Sequence, residues 1–292
     1  MSRERAAEAL LAWNTLVWGA TFVMVKSALA GISPLYFLAL RFSLATLALL
    51  LLFRGKGRWR RDWKSVGVGA LIGSFLFAGY VTQTLGLRLT SAPKSAFITG
   101  LLSVLVPMLA AVVYKTKPQA AEVVGLLTAT VGMGLMTLQG SFGGISRGDL
   151  LTLVCAFAFA AHVVALGHYS REVSFEVLSV MQVAVSAAWS WSLLWVLEKP
   201  RADWRPAVVC AILVTGLLAT ALAFTIQAWA QRYTTSTRAA LIFLLEPVVA
   251  WVTSYFLTGE GLSGRAALGA GLILGGVALV EVKPWAPRPH PL

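Results

Sequence analysis

Long apolar stretches alternate with short polar gaps along this chain, and the length of the stretches is the first clue to its elements. A hydrocarbon core about 30 Å thick is crossed by a helix of about 20 apolar residues. By that measure the sequence predicts ten membrane-spanning helices, at residues 8–28, 34–53, 65–86, 91–114, 119–138, 148–168, 174–197, 205–230, 235–257 and 265–283. The stretches lack the period-two alternation of an outer-membrane barrel strand. The gaps leave no room for a soluble domain. The expected class is an all-α integral membrane protein.

Composition narrows this further. Of 292 residues, 58% are hydrophobic and 12% are charged, with a mean hydropathy of +0.78. Soluble domains carry about 25% charged residues, so this chain has too few to cover a soluble surface. A net charge of +12 would by itself suggest nucleic acid. Its basic residues instead cluster in the gaps, as in membrane loops, and no nucleic-acid partner is expected. Cys155 and Cys210 lie inside apolar stretches without a CxxC or metal-like partner and read as small core residues. The basic start Arg3–Arg5 before an apolar run mimics a secretion signal, but further spans follow at once, so the run reads as a retained first helix.

Basic residues also orient the chain. With the N-terminus in the cytoplasm, fifteen Lys and Arg fall on that side, six of them in the cluster Arg54, Lys56, Arg58, Arg60, Arg61 and Lys64. The others there are Arg3, Arg5, Lys115, Lys117, Arg171, Arg232, Arg238, Lys283 and Arg288; eight fall opposite, and Arg41 lies within a span. The excess predicts both termini in the cytoplasm.

Two halves of the chain echo each other. Leu89 to Phe97, with Thr90, Ser91 and Lys94, is similar to Tyr233 to Leu241, with Thr234, Thr235 and Arg238. Each segment opens an apolar helix that contains a later proline, Pro107 or Pro247, and each is followed by glycines seven apart, Gly125 and Gly132 or Gly269 and Gly276. Trp63 and Trp204 precede them at similar distances. This predicts repeats at 1–140 and 141–292. Five spans per repeat is an odd number, so the second repeat enters the membrane from the opposite side, the inverted arrangement of many secondary transporters.

Trp18-Gly19-Ala20-Thr21-Phe22 followed by Lys26, Pro34 and Arg41 resembles the opening of an EamA repeat, and Thr90 to Pro107 and Thr234 to Pro247, with Gly259-Glu260 beyond, resemble its second half. The chain thus resembles the drug/metabolite transporter superfamily over essentially its whole length, and its aromatic-rich first and third helices are similar to YddG-type exporters of aromatic amino acids. The resemblance implies ten helices in two inverted five-helix repeats and efflux of metabolites or drugs. The second repeat departs from the pattern, with Ala158-Phe159-Ala160 where a Trp-Gly pair would stand.

Candidate chemistry lies in polar residues within spans. A charge in hydrocarbon costs about 2.5–3.5 kcal/mol on insertion scales, and only Arg41 and Glu246 lie well inside. At 1.5 Å per residue they sit about 10 Å and about 16 Å from the outer helix ends, depths compatible with a structural ion pair, with coupling through Glu246 or with substrate contact. Asn14, Trp18 and Thr21 share a face of the first helix; Tyr80 and Gln83, Thr99 and Ser103, Phe159 and His162, and Thr220 and Gln227 pair similarly on later ones. Together they predict an apolar pocket with a few oriented polar groups, suited to an amphipathic small ligand. His162 has no second ligand nearby in sequence, so no metal is expected.

Lys94 and Arg238 open the repeat-related helices and read either as interfacial cations or, as phosphate-translocating relatives in the superfamily imply, as anion attractors at each entrance. Trp189, Trp191 and Trp195 read as an interfacial belt, and Gly69/Gly73 and Gly271/Gly275 as close-packing motifs. There is no P-loop or HExxH sequence, and no cofactor and no enzyme activity are expected. The resulting expectation is a bacterial inner-membrane secondary transporter that exports small organic molecules. Aromatic or other neutral amino acids lead as substrates, with lipophilic-cation efflux as the alternative and a membrane-embedded enzyme behind it. Accessibility labelling is expected to find residues 140–147 on the face opposite residue 1; labelling on the same face would refute the inverted repeat.

Overall fold

The computed structural model describes residues 2–54, 63–89, 92–115, 119–137, 146–258 and 263–282. Lys56, Arg58, Arg60, Arg61, Thr90, Ser91, Lys117, Gly259, Glu260, Lys283, Arg288 and His290 lie outside the described residues, as do the side chains of Phe22 and Lys94. The first repeat holds α1 (Arg3–Ala28), α2 (Pro34–Phe53), α3 (Trp63–Leu87), α4 (Ala92–Gly100), α5 (Leu102–Tyr114) and α6 (Ala120–Thr137). The second holds α7 (Arg147–Tyr169), α8 (Phe175–Leu197), α9 (Pro206–Gly216), a π-helical turn (Leu217–Leu222), α10 (Ala223–Ala230), α11 (Ser236–Phe243), α12 (Glu246–Thr258) and α13 (Gly264–Val282). Paired end to end, α4 with α5, α9 with α10 and α11 with α12, these make the ten expected spans. Eight are long and apolar enough to cross a membrane; α6 and α13 are shorter apolar helices.

Local chemistry explains the starts and breaks. Ser2 and Ser174 cap α1 and α8 through their side chains, and Ser146 with Asp149 forms a reciprocal capping box on α7. Pro34 and Pro206 occupy the first turns of α2 and α9, where a missing N–H costs nothing. Spans four and nine are interrupted at Leu101 and at Leu244–Leu245, repeat-equivalent places, which a purely apolar reading does not reveal. Pro247 follows directly in the first turn of α12, where its ring cannot continue the preceding helix.

The shorter helices α6 and α13 lie against each other through the repeat glycines. A Cβ on Gly125 would stand 2.6 Å from the carbonyl oxygen of Gly276, and one on Gly132 would stand 2.5 Å from that of Gly269. The low-numbered glycine of each helix meets the high-numbered one of the other, so the helices run antiparallel and each contact repeats the other about a two-fold axis. That is the inverted repeat in direct contact. The motif glycines divide differently. Gly69 and Gly73 pack against Met181 and Gln182–Val185 of α8, whereas Gly271 and Gly275 face open space. Trp189 and Trp195 are exposed as a belt requires, but Trp191 turns inward to bond Ser43 at 2.9 Å.

Polar contacts join the repeats at the face where α1 begins. Arg238, only 7% exposed, lies 2.9 Å from Glu8 and 3.3 Å from Glu4 of α1, so it is paired rather than open to an incoming anion. Tyr114 donates to the Val164 carbonyl at 2.7 Å, and beside it, within the second repeat, Gln231 donates to that of Val163 at 2.8 Å. On the same face Lys64 lies 2.8 Å from Glu172 and holds its carboxyl below the usual range, an exposed pair of small energetic weight. At the opposite face the α1–α2 and α8–α9 turns meet, with Asp203 N–H donating to the Gly31 carbonyl at 2.7 Å.

Gly276→Val is expected to lower stability by about 1–3 kcal/mol through overpacking, because the new side chain meets backbone. Gly271→Val should leave it nearly unchanged. Thermal unfolding of both purified variants in detergent checks the pair; equal stability would contradict the glycine contact.

Candidate functional site

A central cavity of about 120 Å³ lies between the two repeats. Its walls come from α1, α2 and α3, the two helix breaks, and α7 and α10. It reaches the opposite face at the exposed Lys26 and ends towards the N-terminal face at the buried Gln227, one turn from the end of α10. Seals formed by Gln231, Tyr114 and Arg238 lie beyond that floor.

The π turn organises one wall. In a π turn the hydrogen-bond ladder widens to five residues, a local irregularity that often accompanies function. Within it the Thr220 hydroxyl donates to the Thr215 carbonyl, five residues back, at 2.8 Å. The opened stretch then accepts donors from the first repeat. The Ala219 carbonyl takes Trp18 Nε1 at 2.9 Å and Arg41 Nη2 at 3.3 Å, and the Ala223 carbonyl takes Asn14 Nδ2 at 2.7 Å. Arg41 Nε donates to Thr220 Oγ1 at 2.6 Å, and its Nη2 also reaches Tyr80 OH at 3.1 Å. Gly19, in the Trp-Gly pair of α1, lets α12 approach, since a Cβ there would lie 2.9 Å from the Glu246 carbonyl oxygen.

Eight of the eleven pocket residues expected from sequence line the cavity: Trp18, Thr21, Tyr80, Gln83, Thr99, Phe159, His162 and Gln227. The other three are engaged within the protein. Asn14 and Thr220 belong to the π-turn contacts, and Ser103 donates to the Ala240 carbonyl at 2.9 Å. Arg41 and Glu246 both line the cavity, but no ion pair joins them; the guanidinium bonds to neutral groups instead. His162 bonds Gln182 at 2.8 Å, and among the described residues no group of His, Cys, Asp and Glu could hold a metal.

Sequence reasoning missed Lys26, Phe37, Thr84, Leu102, Phe224 and Phe243, among others. The repeat carries a signal for several of them. Trp18 and Thr21 correspond, 141 positions on, to Phe159 and His162. Tyr80, Gln83, Thr99 and Leu102 correspond, 144 positions on, to Phe224, Gln227, Phe243 and Glu246. All twelve line the cavity. The rings pack in matching pairs, Trp18 on Phe224 at 5.6 Å and Phe159 on Tyr80 at 5.3 Å, with Tyr80 and Phe224 meeting at 6.3 Å between them. The step from 141 to 144 falls between Trp63/Trp204 and Tyr80/Phe224, the stretch that holds the π turn in the second repeat.

Known proteins place this geometry. The model of the EamA-like transporter family matches residues 6–138 and again 146–282. A protein of Archaeoglobus fulgidus described as an uncharacterized transporter is 35% identical over 280 residues, covering 94% of this chain and 85% of its own. The uncharacterized transporter YoaV of Bacillus subtilis is 22% identical, covering 90% of this chain and 92% of its own. One crystal structure superposes with a TM-score of 0.81 at 18% identity, over 95% of this chain and 97% of that one, a likeness of fold alone. With one match for each half of a ten-span, two-repeat membrane protein, the chain belongs to the EamA-like transporter family.

Proposed function

We propose that this membrane transporter is a secondary transporter that exports small organic metabolites, with aromatic or other neutral amino acids as its leading substrates. The observation that carries this reading is the cavity between the repeats, an aromatic wall with few, oriented polar groups. Trp18, Tyr80, Phe159, Phe224 and Phe243 supply the apolar area, and Gln83, Thr99 and Gln227 supply amide and hydroxyl groups. Such a lining suits a ligand with one apolar and one polar end. Broken helices beside a site at the repeat interface are the usual arrangement in alternating-access transporters, in which one repeat rocks against the other. We place the transporter in a bacterial inner membrane with both termini in the cytoplasm, an orientation that the excess of Lys and Arg on the N-terminal face supports. In that orientation the cavity faces outward in this structure.

Efflux of lipophilic cations is a second reading, favoured by Glu246 and the ring faces in the wall. Arg41 in the same wall weighs against it.

Uptake into proteoliposomes separates the two. Labelled phenylalanine is expected to accumulate saturably and to compete with other neutral amino acids, while a cationic dye neither accumulates nor competes. Dye transport without phenylalanine transport would replace the first reading by the second. The same panel run with and without a pH gradient reports the coupling.

A further inference from the structure

The chamber is two-fold in shape but not in charge. Arg41 corresponds, 141 positions on, to Gln182, and Glu246 corresponds, 144 positions back, to Leu102. Each charge therefore occurs once, in opposite repeats, in the wall of one cavity.

Arg41 is only 4% exposed. Its Nε and Nη2 are held by Thr220 Oγ1, Tyr80 OH and the Ala219 carbonyl, and the Tyr80 ring lies 4.7 Å from the guanidinium carbon. All these partners are neutral. They orient the guanidinium without balancing its charge, and among the described residues they engage its Nε and Nη2 and not its Nη1. A guanidinium buried without a counter-ion is costly, and a carboxylate is the group its geometry matches. Glu246 is half-buried at the start of α12 and has no hydrogen-bond or ion-pair partner among the described residues. Gln227 adds a second acceptor. Its Nε2 donates to Gln231 Oε1, whose own Nε2 donates to the Val163 carbonyl, so Gln227 Oε1 is the end left buried without a donor. The third charged residue in the lining, Lys26, sits at the exposed mouth, away from that floor.

We propose that Arg41 is the carboxylate anchor and Glu246 the ammonium anchor of a zwitterionic substrate, which the chamber holds in a single orientation with its side chain against the Trp18, Phe224, Tyr80 and Phe159 rings. This rests on the amino-acid reading above and assigns the groups that recognise the amino-acid backbone. Arg41 and Glu246 that are not paired with each other are what such a ligand requires, since each anchor then exchanges hydration for a ligand charge rather than breaking an internal pair.

The test uses the full-length protein purified in detergent, with L-phenylalanine, 2-phenylethylamine, which lacks the carboxylate, and 3-phenylpropionate, which lacks the ammonium. For the wild type, each truncated probe is expected to need about tenfold or more higher concentration for half-saturation than phenylalanine. Glu246→Gln should erase the preference over 3-phenylpropionate and keep that over 2-phenylethylamine; Arg41→Gln should do the reverse. Arg41 also ties α2 to the π turn, so if Arg41→Gln does not fold, the wild-type panel and Glu246→Gln decide. Equal wild-type binding of phenylalanine and 2-phenylethylamine would overturn the anchors and leave phenylalanine as a substrate. Binding of alanine and threonine but not phenylalanine, with both variants losing it, would keep the anchors and overturn the aromatic preference. Binding of no amino acid would overturn both.

Discussion

The docking of the first repeat on the π turn of span eight is the constraint on which the site depends. In hydrocarbon, backbone polar groups must find partners within the protein, so a widened turn is tolerated only where something fills it. Here the fillers are side chains of the other half: Trp18 and Arg41 on the Ala219 carbonyl, and Asn14 on that of Ala223. One irregularity thus fixes α1 and α2 against the second repeat and aims an indole and a guanidinium at the same cavity. The glycine contact of α6 with α13 and the Gly19 contact of α1 with α12 bring the halves together elsewhere. The π turn decides what faces the space between them.

The energetics of the chamber follow from that placement. Arg41 is retained where charge is expensive because three neutral oxygen acceptors replace part of its hydration. Tyr80 serves both sides of the problem, with its hydroxyl on Arg41 and its ring between Phe159 and Phe224. Arg41 and Tyr80 are therefore held in place by each other and by their neighbours. Hydroxyls such as those of Thr21 and Thr84 are satisfied by their own helices, at 2.8 Å and 2.6 Å.

Much of this was legible in the sequence, and the limits have physical causes. Span length follows from bilayer thickness, so the ten elements could be read from apolar run length within a few residues. Tyr80, Gln83, Phe159 and His162 could be found because a polar or aromatic residue in mid-span usually faces protein or a cavity. Asn14, Ser103 and Thr220 satisfied the same rule but are taken up by hydrogen bonds within the protein, because an interhelical hydrogen bond and a pocket lining demand the same residue type. The residue types of Leu217 to Leu222 do not mark the π turn; only the change of repeat offset from 141 to 144 between Trp204 and Phe224 falls in its stretch. Arg238 could be recognised as a helix-opening cation, but its partners Glu4 and Glu8 lie more than two hundred positions away, and only the fold brings them together.

The pairing of Arg41 with Gln182 and of Glu246 with Leu102 across the repeat has a consequence for ancestry and design. A chamber formed by two identical half-length chains would carry every side chain in duplicate, and a polar guest would fit equally well in two opposed poses. Joining the halves into one polypeptide removes that degeneracy, because each position can then diverge from its mate without altering the shared scaffold. A guest can then have a head and a tail, which two identical halves would not distinguish.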